Sequence, residues 1–163
     1  MYVTKEIIDE VEKEWKGEVI YKEGTARSNG LMILLNHQIH SEDIEVVKQL
    51  ERFIIIRLKT ENVPLHIINC YSPNTTTDKI RFFETLQHDI QRIDNDNVLV
   101  VGNLNVALDN STDKIAGQPH PAREIDAVRE TIAVLNLYDS WRIKPSRKTV
   151  HMVTVKPVQC SKT

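Results

Sequence analysis

The chain has 163 residues, 40% of them hydrophobic, which is enough for one domain with a buried core and excludes a wholly disordered tail. A formal net charge of -2 provides no global basic field, so any hold on nucleic acid has to be local. No apolar stretch reaches the ~20 residues of a membrane span. The charged segment Met1 to Glu14 is no secretory leader, so no membrane association and an intracellular place, nuclear or cytoplasmic, are expected.

In chain order, Thr4 is placed to cap a helix running to Lys16, with Ile7, Ile8, Val11 and Trp15 on one face and Gly17 as its stop. Glu18 to Tyr21 and Leu31 to Leu35 have strand length, separated by a loop from Gly24 to Gly30. Ile44 to Val47, the β-branched run Arg52 to Leu58, and Leu65 to Cys70 after the turn at Glu61 to Pro64 predict an antiparallel meander. Ser72 to Thr77 reads as a polar loop. After it, Ile80, Phe83, Leu86, Ile90 and Ile93 recur at helical spacing. Val98 to Gly102 is an unbroken apolar run of the kind a central strand shows when buried on both faces. Asp109 to Pro121 reads as loop, Ile125, Val128, Ile132 and Leu135 mark a third helix, and a weak strand is expected near Val150 to Val155. Strand groups with helices between them predict a layered α/β fold. Neither a P-loop nor a dinucleotide glycine fingerprint occurs, so nucleotide binding at a helix N-terminus has no support.

Of the two cysteines, Cys70 lies inside an apolar run and reads as a small buried thiol. Two glycosylation sequons, at Asn74 and Asn110, have meaning only in a secreted chain. His37 and His40 have the spacing of a ligand pair but lack a third partner. Asp94, Asp96, Asp109 and Asp113 sit in loops without matching His or Glu spacing, so a solvated loop is favoured over a metal cluster. Arg142, Lys144, Arg147, Lys148 and Lys156 make the tail the most basic stretch, a solvated segment or a surface for phosphates, and Trp141 reads as a packing residue.

Gly102-Asn103-Leu104-Asn105, following an apolar strand, resembles the Gly-Asp-Phe-Asn signature of the endonuclease/exonuclease/phosphatase family. Upstream, Asn69-Cys70-Tyr71-Ser72-Pro73-Asn74 looks like that family's strand ending in Tyr-x-Pro-Asn. Trp15-Lys16-Gly17, Ser28-Asn29-Gly30 and Asp139-Ser140-Trp141-Arg142 are similar to its retrotransposon branch, the non-LTR or LINE-type endonuclease domain. The resemblance covers nearly the whole chain. It implies a four-layer α/β sandwich, two packed mixed β-sheets flanked by helices, incomplete at both ends. Residues 1–163 would then form a single partial domain, with sheet edges left open to self-association.

The chemistry implied by the resemblance is magnesium-dependent hydrolysis of a phosphoester, with DNA as partner. A hard cation needs anionic oxygens, a base must orient water, and donors must neutralise the phosphate. Carried over residue by residue, Tyr71 matches the phosphate tyrosine, Asn105 the motif's asparagine, and Asn74 a substrate-binding position. Asn103 occupies the catalytic aspartate's place and departs from the family, since a carboxamide has neither the charge nor the basicity of a carboxylate. The strand bearing the metal glutamate would precede Met1, and no Ser-Asp-His segment follows Thr149. No metal ligand is therefore assigned, no productive magnesium site is expected, and DNA binding is expected to be weak or absent. The expected function is a degenerate piece of a retroelement DNA endonuclease, without activity. The alternatives are a non-catalytic scaffold for nucleic acid or protein, and a phosphoesterase completed by groups from another chain. Asn103 and Asn105 also read simply as turn residues at a strand end.

Overall fold

The computed structural model describes residues 2–26, 28–61, 63–93, 97–109, 118–139 and 152–155, the last by backbone alone. In chain order the elements are α1 (Lys5–Glu14), β1 (Val19–Lys22), β2 (Leu31–Leu34), a 3-10 turn (Ser41–Asp43), β3 (Ile44–Gln49), β4 (Phe53–Leu58), β5 (Leu65–Tyr71), α2 (Thr76–Gln91), β6 (Val98–Asn103), α3 (Ala122–Val134), β7 (Tyr138–Asp139) and β8 (Met152–Val155). The architecture is mixed α/β, with two sheets and three α-helices among the described residues. Two compact units divide the chain: Met1–Tyr71 with Asn95–Val101, and Ser72–Asp94 with Gly102–Thr163.

In the first unit, Thr4 caps α1 through its hydroxyl, which accepts from the Ile7 N–H. The helix stops at Glu14, earlier than the expected Lys16, because Trp15 turns extended and its indole N–H donates to the Leu35 carbonyl at 2.8 Å. Gly17 follows where the chain passes against β2's end. A Cβ there would lie 1.8 Å from the Leu35 carbonyl oxygen, so only glycine fits. β1 and β2 pair antiparallel, Val19 opposite Leu34, as a two-stranded sheet.

The expected meander is present: β3 pairs β4 and β4 pairs β5, both antiparallel, with β6 next in the strand order. β3 outruns its expected end at Val47 by absorbing a bulge between Val46 and Lys48. Buried on both faces, β4 has Ile54, Ile55 and Ile56 at 1% exposure or less. Burial of each contributes about 1.5–3 kcal/mol. Leu31, Ile33 and Leu35 form one core with Ile54, Ile56 and Leu58, against which Ile67 and Tyr71 pack. Across this core the Asn69 side-chain amide donates to the Met32 carbonyl at 3.0 Å. The Cys70 thiol is buried as expected, and burial pushes its pKa up to about 12.

In the second unit α2 and α3 pack together. The segment expected to be loop as far as Thr77 is shorter, because Thr75 caps α2 by accepting from the Asp78 N–H. The buried face of α2 is Lys79, Phe82, Phe83, Leu86 and Ile90, so the stripe is shifted from the expected one and includes a lysine. Ile93 lies beyond the helix end. From α3 come Glu124, Ile125, Val128 and Thr131. Asn136 ends that helix at φ 50°, a left-handed turn asparagine tolerates, and the Leu137 N–H returns to the Ile132 carbonyl at 2.8 Å. β7 and β8 run parallel, Tyr138 opposite Met152.

Candidate functional site

β6 ends in a tight turn built by its own residues. Gly102 has φ 133°, in the half of conformational space that side chains resist. Asn103 is exposed, and its side-chain Oδ1 accepts from the Asn105 backbone N–H at 2.9 Å, closing an Asx turn. Leu104 is buried at 5% exposure and serves as an apolar anchor where the resembled motif has phenylalanine. Asn105 sits at φ 49°, and its Nδ2 donates to the Ser72 carbonyl at 2.6 Å. The Ser72 N–H donates back to the Asn103 carbonyl at 2.9 Å. The two motifs noted in the sequence, Ser72-Pro73-Asn74 and Gly102 to Asn105, are thus stitched together within the second unit.

Asn105 is held from a third side by a group that sequence reasoning missed. Lys79 Nζ donates to the Asn105 carbonyl at 2.8 Å and pairs with Glu124 at 2.6 Å, both side chains nearly inaccessible to solvent. Thr76 donates its hydroxyl to the other Glu124 oxygen, and His120 Nδ1 lies 3.3 Å from the carboxylate. Burial by itself raises the Glu124 pKa. The hydrogen bonds from Lys79 and Thr76, the Lys79 charge and the His120 contact outweigh it, leaving the carboxyl below its ordinary value. A signal was available: Lys79 precedes Phe82, Phe83 and Leu86 by three, four and seven residues, the positions of one helix face.

Tyr71 closes the first unit at the end of β5. Its hydroxyl lies 3.4 Å from the Asn29 side-chain nitrogen, and the Arg52 guanidinium stands 6.0 Å from its ring centroid. Asn74 is exposed just before the Thr75 cap, and His37, His40 and Asp109 are exposed as well. Asp94, Asp96, Asn110, Asp113, Trp141 and the basic residues from Arg142 onward lie outside the described residues.

No protein-family model matches the chain. It is 29% identical over 143 residues to the Transposon TX1 uncharacterized 149 kDa protein of Xenopus laevis, a match that takes in 86% of this chain and 11% of that protein. Among solved structures it is similar to the endonuclease domain of TRAS1, a telomere-specific non-LTR retrotransposon. The TM-score is 0.53 at 13% identity, over 83% of this chain and 66% of that one. The fold is that of a non-LTR retrotransposon endonuclease domain. The chain spans about a tenth of the length of the transposon protein and 66% of the solved domain.

On this endonuclease fold, a magnesium ion would need negatively charged oxygen ligands. The end of β6 offers instead two neutral amides, the Asn103 oxygen already engaged by the Asn105 N–H. Among the described residues no group of three or more His, Cys, Asp or Glu side chains stands together as a metal site. Among the described residues, the end of β6 supplies no ligand set that fits the ion. No helix of the described residues is long and apolar enough to cross a membrane.

Proposed function

We propose that this chain is a retroelement endonuclease-like domain that engages DNA without hydrolysing it. Support for the retroelement origin comes from its similarity to the transposon protein and from the fold it shares with the TRAS1 endonuclease domain. The observation that carries the loss of activity is Asn103. An amide stands where the family's water-aligning carboxylate is expected, and its oxygen is spent on closing a turn. Losing one group that stabilises a transition state costs roughly a hundred- to a thousand-fold in rate. Because members of a catalytic set act together, restoring one leaves most of the deficit. With a net charge of -2, the hold on DNA in this reading is local and weak. The reading includes self-association through β3, the terminal strand of its sheet, where Val46 and Val47 are exposed.

The test is supercoiled plasmid incubated with magnesium or manganese and three proteins: the natural chain, Asn103→Asp, and Asn103→Asp with Tyr71→Phe. None is expected to nick. Nicking by the natural chain, or nicking gained with Asn103→Asp and lost again with Tyr71→Phe, would overturn the reading.

A further inference from the structure

In the two-stranded sheet of the first unit, the Leu35 N–H donates to the Glu18 carbonyl at 2.9 Å, which fixes the ladder between β1 and β2. With Val19 opposite Leu34 and Tyr21 opposite Met32, the backbone groups of those four residues point away from the partner strand. On the β2 side, Asn69 takes the Met32 carbonyl at 3.0 Å. Among the described residues the Met32 N–H and both Leu34 backbone groups have no partner. The Asn69 bond also locates this free edge. Asn69 lies on β5 opposite Ile54, on the face that receives Leu31, Ile33 and Leu35, so the edge stands above β5. Burial records where the cover stops. On that face Ile54 and Ile56 are fully buried, whereas Ile67 of β5 is only partly so. His66, Ile68 and Cys70, on the opposite face of β5, are buried. The neighbouring strand β6 alternates alike, with Val98 and Val100 buried and Leu99 and Val101 partly exposed, so Leu99 and Val101 continue the partly covered face. Together these residues make a notch, with unpaired backbone at Met32 and Leu34 as its wall and Ile67, Leu99 and Val101 as its floor.

We propose that this notch receives an extended strand from a separate polypeptide, paired to the free edge of β2 and carrying apolar side chains at alternate positions. Unpaired N–H and C=O groups along a sheet edge are recognised by the main chain of another strand. A floor that is apolar and touches one face of the incoming strand selects for alternation. Length points the same way: this chain matches 66% of the solved domain that shares its fold, so the fold has room for further segments of chain. The inference goes beyond the reading of the chain as one that engages DNA and does not depend on it.

The probe is a capped synthetic peptide, Lys-Val-Thr-Val-Lys-Val-Thr-Val-Lys, added to the full 163-residue chain while amide exchange is followed by NMR. Without peptide, the Leu34 N–H should exchange far faster than the Ile33 N–H, which faces Ile20. Peptide at ~1 mM should slow the Met32 and Leu34 amides about tenfold. Two control peptides should leave them unchanged: one of the same composition with its valines in a single run, and the original sequence N-methylated throughout. Leu34→Pro removes an N–H that β1 does not use, so the thermal midpoint should hold while peptide affinity falls about fivefold. Val19→Pro makes the same change on the opposite edge and should leave affinity unaltered. Should Leu34→Pro fail to fold, the N-methylated peptide tests the same bonds from the other side. The inference is overturned by a Leu34 amide already protected before peptide is added, whether in the single chain or through pairing of two copies as concentration rises. No slowing at ~1 mM, equal slowing by either control peptide, or an equal loss with Val19→Pro would overturn it too.

Discussion

Taking an ammonium group out of water costs several kcal/mol unless a carboxylate and further acceptors receive it, and Lys79 is received by Glu124 and by the Asn105 carbonyl. Such a pair adds little net stability over apolar residues of the same size, yet breaking it from one side leaves a charge buried alone. Lys79→Met should therefore cost about 3–5 kcal/mol in urea unfolding, while Lys79→Met combined with Glu124→Met should recover most of the loss. Equal destabilisation by the single and double variants would show that the cost comes from packing and not from the orphaned carboxylate. The sign for pH follows from the lowered Glu124 pKa. The pair's contribution is full above the ordinary carboxylate value and is lost as pH falls through the lower folded one.

At the scale of elements, β4, β5 and β6 are adjacent in strand order, and Ile54, Ile56, Ile68, Val98 and Val100 are all buried. Their amides should be the slowest to exchange with solvent, Val98 to Val101 far slower than Thr75 to Thr77, which lie at the open first turn of α2. Equal exchange in the two segments would contradict the sheet. These strands were legible because a run such as Phe53 to Leu58 has one reading once turn residues bound it. The cap of α2 was also present in the sequence, as Thr75 with Asp78 three residues on, but the polar run around it reads equally as loop. β7 escaped notice since its two residues carry no periodicity. The turn at β6's end was legible as a motif, whereas its brace was not. Lys79 and Glu124 are 45 residues apart, and no local pattern states that two charged residues on separate helices will meet.

For the whole molecule, the open flank of β3 sets the expected behaviour in solution. Val46 and Val47 are exposed there, while the bulge and the Glu45 and Lys48 side chains blunt the edge as natural edge strands do. Weak, concentration-dependent association is the expected result in sedimentation, reduced by Val47→Lys. A single sharp monomer at high concentration would mean the edge is fully protected. Cys70 gives the same chain a clock. Its thiol is 1% exposed on a central strand, and the thiolate that alkylating reagents need is suppressed by burial. In a Cys160→Ser background, the rate at which Cys70 is labelled counts the moments when β5 comes away from its neighbours. That rate times the opening of the sheet in any variant, without a dye, a metal or a nucleic acid being present.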